Sequence, residues 1–361
     1  MRSRSIVRLG RRRPWSARFR MAATLGCALL VSACGIAPPV RNMPLAAAPS
    51  PAIETDTATG TATASLSVLT YNIEGLSWPA RKGRAPFLRE IGARLSAMRE
   101  ARQEPDIVLF QEVFSNAAKN AVAVSGYPAI VPGPRRTDRA PVFTKAPLPG
   151  KAKFKRGEWG IHLLGSGLAI ASRYPIQHSD RMAYSRKACA GLDCLANKGV
   201  VMARIVMPGV PTPIDLYNTP MNSADASRAP AARSAAAHRR QALAASAFID
   251  STHDDAFPVV FGGDFNMRHS DERWAAFSRY QSLSLVHEVC NHPASQCDVR
   301  LSWDGDAPWM DTQDLQFFWS GSTVSVRPVR AEAMFDGSPD SPTLSDHDGF
   351  LVTYALSWDP G

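Results

Sequence analysis

From Leu66 onward, short apolar runs alternate with stretches of helical period. The runs Leu66–Tyr71, Ile107–Phe110, Leu168–Ser172, Val200–Val206, Ile214–Asn218, Val259–Gly262, Phe317–Trp319 and Phe350–Leu356 are bounded by Gly, Pro or Asp and predict strands. Between them, Phe87–Arg102 and Ala229–Ser251 space their apolar residues as helices do, within long Ala and Arg runs. Strands interleaved with helices place the chain in the α/β class. No gap between predicted strands has the composition of an interdomain linker, so one domain is expected over residues 66–358.

The first 65 residues break that pattern. Arg2 to Arg20 form a cationic stretch, and Met21 to Ala33 form a short apolar one. Such a short run cannot cross a hydrocarbon core of about 30 Å as a helix, so residues 1–33 read as an export signal. The string Val31-Ser32-Ala33-Cys34-Gly35 resembles the lipobox of bacterial lipoproteins. That resemblance implies cleavage before Cys34 and lipidation of its thiol; an ordinary signal with a chance cysteine is the alternative. Arg11-Arg12-Arg13 is a weak twin-arginine pattern because Pro14 follows it. Gly35 and Ile36 offer no Asp retention signal, which favours an outer-membrane lipoprotein facing the periplasm or the surface. Residues 34–65, rich in Ala, Pro and Thr, are expected to form a flexible tether.

Charge changes the picture once the leader is set apart. The formal net charge is +9, but residues 1–33 hold eight arginines and no acid, leaving 33 Lys and Arg against 32 Asp and Glu. A nearly neutral body argues against non-specific DNA binding, in which Lys and Arg contacts to phosphate dominate. Lys151–Arg156 with Arg135, Arg136 and Arg139 keeps a nuclease open, although Pro and Gly around the run favour a solvated loop. With 45% hydrophobic residues over 361 positions the chain can bury a full core, which excludes a disordered protein. Of six cysteines, Cys27 leaves with the leader and Cys34 takes the lipid. Cys189 with Cys194 and Cys290 with Cys297 are close pairs in an exported chain, and predict two short-loop disulfides. Zinc is the rival, but no Cys-x-x-Cys or paired His accompanies them.

Candidate chemistry gathers at strand ends. Asn72 follows Leu69-Thr70-Tyr71, Gln111-Glu112 follow Ile107–Phe110, and Asp264 and Asn266 follow Val259–Gly263. Asp346-His347-Asp348 precede the last predicted strand. Carboxylates suit Mg²⁺, a hard cation that wants oxygen ligands, and an imidazole oriented by a buried Asp can move protons. Taken singly, each residue has an ordinary reading: a strand-end cap for Asn72, an exposed loop acid for Glu112, a helix N-cap for Asp264, a turn residue for Asp314, a surface histidine for His347.

Four strings occur in one order across nearly the whole predicted domain. They are Leu69-Thr70-Tyr71-Asn72, Asp106-Ile107-Val108-Leu109-Phe110-Gln111-Glu112-Val113, Gly262-Gly263-Asp264-Phe265-Asn266 and Leu344-Ser345-Asp346-His347-Asp348-Gly349. Together they resemble the endonuclease/exonuclease/phosphatase superfamily. The resemblance implies a four-layer α/β/β/α sandwich with two central mixed sheets and a site at one end of them. It implies Mg²⁺, or Mn²⁺ or another divalent cation, on Glu112 with Asn72 beside it and Asp346 nearby. It implies Asp264 orienting or deprotonating water, Asn266 binding a phosphate oxygen, and His347 paired with an Asp on another strand. Thr312–Phe318 is similar to the family's Asp-Tyr-Ile-Phe strand, which makes Asp314 that partner.

One departure stands out. Where the family usually reads Asn-Thr-His-Leu, this chain reads Asn218-Thr219-Pro220-Met221-Asn222, with Pro220 in place of the histidine. Proline has no proton to give. Asn218 and Asn222 are the polar residues left there for substrate. Gly165–Ile176 and Asn197-Lys198-Gly199-Val200 resemble the neutral sphingomyelinase branch, which implies Lys198 beside a substrate phosphate; a solvated strand-edge lysine is the alternative. Trp303 and Trp309 are candidates for dipping into a lipid interface. The expectation is therefore an exported, lipid-anchored phosphodiesterase acting on a sphingomyelin-type phospholipid, with no obligate protein partner. A DNase-like nuclease is the first alternative and a catalytically degenerate binding protein the second.

Overall fold

In the computed structural model the described residues are 36–77, 79–144, 146–300, 312–339 and 341–361. Cys34, the leader, and the loop with Trp303 and Trp309 lie outside them. Residues Pro38–Gly361 form one compact unit.

Two sheets carry the architecture. The first contains β1 (Ile53–Thr55), β2 (Ala62–Asn72), β3 (Ile107–Gln111), β4 (Ala129–Pro132) and β5 (Ala169–Ser172), completed by β11 (Asp298–Val299), β13 (Ser325–Met334) and β14 (Gly349–Trp358). Its order is β11-β13-β14-β2-β3-β5-β4, with β1 pairing the start of β2. The second contains β6 (Ile176–Ala183), β7 (Gly199–Ile205), β8 (Ile214–Pro220), β9 (Val259–Asp264), β10 (Ser284–Leu285) and β12 (Asp314–Trp319), in the order β10-β12-β9-β8-β7-β6. Both sheets are mixed: β2 runs parallel to β3 and β8 to β9, while most other pairs are antiparallel.

Strand parity explains the layers, because successive side chains point to opposite faces. Leu66 and Val68 of β2, Ile107 and Leu109 of β3, Leu216 of β8, Val260 of β9 and Phe318 of β12 share one core between the sheets. The alternate positions Leu69, Tyr71, Val108 and Phe110 pack outward on Leu88, Ile91 and Leu95 of α1 (Arg84–Glu100) and Ala121 of α2 (Asn116–Val124). On the far side, Met202, Tyr217, Phe261 and Phe317 pack on Ala245, Phe248 and Ile249 of α3 (Ala231–Thr252) and Phe277 of α4 (Asp271–Phe277). The result is the four-layer α/β/β/α sandwich.

The same parity makes the site. Beyond Val68 the inward positions of β2 are Thr70 and Asn72; beyond Leu109 comes Gln111, beyond Leu216 come Asn218 and Pro220, and beyond Val260 come Gly262 and Asp264. Strand β12 runs antiparallel to β9, so its first residue, Asp314, sits level with Asp264. At one end of the interlayer, an apolar core therefore becomes polar within two to four residues on five strands.

Several elements depart from the sequence reading. The 34–65 stretch is in part built into the fold. Arg41 exchanges backbone hydrogen bonds with Ile130 at 3.0 and 2.9 Å, and the Asn42 amide grips Ile176 at 2.8 and 3.0 Å. Ile53–Thr55 pairs with β2, which itself starts at Ala62. Strands β4, β6 and β13, and the short α2, α4 and α5 (Val286–Asn291), were not anticipated. Among the described residues no helix is long and apolar enough to cross a membrane. Both disulfides form, Cys189–Cys194 and Cys290–Cys297, with Cα separations of 5.2 and 5.0 Å.

Candidate active site

Glu112 follows β3 with a backbone φ of +59°, the left-handed region that non-glycine residues rarely occupy. The strained turn is clamped. Val113 N–H donates to the Gly167 carbonyl at 2.7 Å, and a Cβ on Gly75 would stand 2.1 Å from the Glu112 carbonyl oxygen. The Glu112 carboxylate accepts no hydrogen bond from a described residue. Burial first, and then the like charge of Asp264, push its pKa up to about 7, against the opposing pull of Lys198 and His347.

Asp264 closes β9 and is oriented through both oxygens. Asn266 Nδ2 donates to Oδ1 at 2.7 Å and Asn72 Nδ2 donates to Oδ2 at 3.2 Å, the latter bond joining the two sheets. Gly263 before it has no room for a side chain, since a Cβ would lie 1.8 Å from the Thr219 carbonyl oxygen. Burial raises the Asp264 pKa. His347 Nδ1 lies 2.5 Å from Asp314 Oδ2, so Asp314 sets the ring and leaves Nε2 without a partner among described residues. Burial pulls the His347 pKa down, but Asp314, with Asp264 and Asp346 behind it, outweighs burial and holds it at about 10. Ser345 ties this loop to β2 by donating to the Asn72 carbonyl at 2.7 Å.

The structure thus brings Asn72, Glu112, Asp264, Asn266, Asp314 and His347 to one end of the sheets. The other anticipated residues stand differently. Asn218 donates both amide protons to the carbonyls of Phe110 and Ala169 across the sheets, at 3.0 and 3.1 Å, while its Oδ1 accepts from Gln111 at 2.7 Å. Asn222 donates to Ser223 O and Ser234 Oγ and accepts from Ala190 N–H. Asn266 gives its second proton to the Met221 carbonyl at 3.3 Å. In this arrangement the side-chain amide protons of all three are engaged within the protein. Lys198 Nζ donates to Asp193 and to the Met221 carbonyl, each at 2.8 Å, and retains a third proton. Asp346 is half-exposed and paired with Arg81 at 2.9 Å, yet its charge is felt at Glu112. Pro220 pairs with Asp264 across β8 and β9.

Three residues support the site: Gln111, noted at its strand end without a role, and Asp193 and Arg273, to which the sequence alone assigns no role. Gln111 straps the sheets through Asn218, and Asp193 anchors Lys198. Buried Arg273 holds the carbonyls of Asn222 and Asn266 at 2.6 and 2.8 Å. Nothing around Arg273 in the sequence marks it out, because its partners are two backbone carbonyls and the Ser234 hydroxyl.

Among the described residues no three His, Cys, Asp or Glu side chains already meet in metal-ligating geometry. The donor set nevertheless suits a hard divalent cation. Glu112 is a carboxylate without hydrogen bonds, destabilised by the neighbouring charge of Asp264, with the Asn72 amide beside them.

The Endonuclease/Exonuclease/phosphatase family matches residues 69–347. No curated protein sequence matches the chain. Among solved structures, the fold is similar to a beta toxin mutant from Staphylococcus aureus with bound magnesium ions, at 17% identity and TM-score 0.53, covering 80% of this chain and 99% of that one. It is similar to Sphingomyelinase C from Streptomyces griseocarneus, at 20% identity and TM-score 0.53 with the same coverages. It is also similar to D. rerio TDP2 complexed with a single-strand DNA product, at 14% identity and TM-score 0.52, covering 80% and 98%.

Proposed function

Because the chain belongs to the endonuclease/exonuclease/phosphatase family, we propose that it is an exported, divalent-metal-dependent phosphodiesterase, anchored through Cys34 to the outer membrane. The observation that carries this reading is the pairing of an unbonded, strained Glu112 with an oriented Asp264, opposite the His347–Asp314 pair. Glu112 and Asn72 would hold Mg²⁺ or a related cation, which supplies Lewis-acid neutralisation of the phosphate oxygens. Asp264, aimed by Asn72 and Asn266 and with its pKa raised, takes the proton of the attacking water. His347, kept protonated by Asp314, donates from Nε2 to a phosphoryl oxygen. Lys198 offers its third proton to the same phosphate. Asn218 and Asn222 are positioning residues, and Asp346 stands at the rim.

A sphingomyelin-type phospholipid is the preferred substrate in this reading. The Asn197-Lys198-Gly199-Val200 string, the likeness to a sphingomyelinase fold and the inferred anchor support it. Pro220 favours a second reading, a slow or degenerate enzyme that binds without turnover, because it stands beside Asp264 with no proton to give.

The test is hydrolysis of sphingomyelin, single-stranded DNA and an aryl phosphodiester, with and without Mg²⁺. His347→Ala is expected to lose about 10²–10⁴-fold in kcat. DNA turnover exceeding that of sphingomyelin would move the assignment to a nuclease. Inactivity on all three substrates, restored by Pro220→His, would establish the degenerate reading.

A further inference from the structure

Six of the thirteen large apolar side chains left exposed among the described residues sit on the connection between β4 and β5: Val142, Phe143, Phe154, Trp159, Ile161 and Leu163. The last four fall within ten residues, at 71%, 40%, 54% and 48% exposure. Singly, exposed apolar residues need no explanation; clustered ones mark an interaction surface.

This segment is held open rather than left slack. Leu163 and Leu164 N–H donate to the Leu195 carbonyl at 2.7 and 3.0 Å, and the Arg156 guanidinium donates to the Arg228 carbonyl at its base. Trp159 Nε1 donates to the Phe154 carbonyl at 2.5 Å, with the two rings 6.0 Å apart. The indole is thereby fixed as an apolar face with its polar edge already satisfied.

Charge on the segment has one sign. Lys151, Lys153, Lys155 and Arg156 are exposed. Glu158, the one acid between 151 and 163, turns inward to Arg233 at 2.5 Å and accepts Gly191 N–H at 3.0 Å. Two residues of the segment, Lys155 and Arg156, line a cavity of about 490 Å³ with Arg228 and a single acid, Asp225.

We propose that residues 151–163 dock on an anionic phospholipid surface. Phe154, Trp159, Ile161 and Leu163 enter the boundary between headgroups and acyl chains, the cations meet the phosphates, and the cavity has room for one headgroup. Exposed aromatic and aliphatic side chains interleaved with Lys and Arg are the composition that interfacial binding requires. A nucleic-acid strand would use aromatic faces for stacking but has no use for Ile161 and Leu163. The inference does not depend on the catalytic assignment.

The experiment follows amide exchange in the full chain carrying Cys34→Ser, so that no acyl chain contributes. Vesicles of phosphatidylcholine with one-fifth phosphatidylglycerol are expected to slow exchange across 151–163 by about tenfold, while pure phosphatidylcholine does so weakly. Phe154→Ser with Trp159→Ser should abolish the protection, and Lys155→Glu should weaken it and make what remains less sensitive to salt, with hydrolysis of a soluble aryl phosphodiester unchanged in both. Binding of vesicles without protection of 151–163, or protection by single-stranded DNA in place of vesicles, would overturn the proposal.

Discussion

Glu112 combines a left-handed backbone with a like-charged neighbour, and both cost stability; a bound cation would offset the second. Its pKa is raised in the folded state, so between the ordinary carboxylate range and about 7 the folded chain binds more protons than the unfolded one. Stability from this group is full at low pH and is lost as pH rises through 7. With metal chelated, the melting temperature should fall between about pH 4.5 and pH 7, and Glu112→Gln should flatten that slope. A cation entering the site should release protons at pH 7 in the wild type and not in the variant, as calorimetry in buffers of differing ionisation heat would detect. Asn218 makes the opposite test. Asn218→Ala strands Gln111 and two buried carbonyls, so a loss of about 2–3 kcal/mol in stability is expected with KM unchanged. A raised KM would return Asn218 to the substrate. Glu112, Asp264 and His347 were legible because each sits in a short string beside a strand. The roles of Asn218, Asn222 and Asn266 were not, since an amide that binds phosphate and one that straps two carbonyls are the same letters.

At the level of elements, most of the strands that were legible are buried on both faces; β14, which alternates buried and half-buried positions, was legible from its apolar alternation. Strand β3 reads Ile-Val-Leu-Phe without a break, as does most of β9. Strand β6 carries His178, Ser179 and Asp180 in its exposed middle, and β13 interleaves Arg327, Pro328 and Arg330, so neither has the run that announces a strand. Both lie toward the borders of their sheets, where one face meets water. Helix α5 carries a further consequence. Burial pushes His287 down to about 3, and neither ring nitrogen has a partner. The unfolded chain therefore takes up a proton below pH 6.5 that the folded chain refuses until about pH 3. Stability should fall on acidification through that window by about 1.4 kcal/mol per pH unit from this residue. His287→Phe, which fills similar space beside Phe350, should remove that share of the acid sensitivity in pH-dependent denaturation curves. The turn after β3 is equally testable. Gly75→Ala places a methyl on the Glu112 carbonyl and should cut metal-dependent activity at least tenfold while the rest of the fold persists.

For the molecule as a whole, the two sheets meet at a polar end whose straps cross between layers. Gln111 reaches Asn218, Asn72 reaches Asp264, and Gln316 donates to the carbonyls of Val68 and Phe350 at 2.9 and 3.0 Å. Asp264 is therefore referred to both sheets, and the layers cannot slide without disturbing it. The segment stitched down at Arg41 and Asn42 bears on a different matter, the length of leash between body and anchor. If Cys34 is acylated as proposed, the chain between it and Arg41 reaches at most about 25 Å when fully extended. A protein acylated at Cys34 would work at a fixed, low height over its own leaflet. It would meet substrate by lateral diffusion of lipids beneath it, and material on an opposing membrane would pass out of reach.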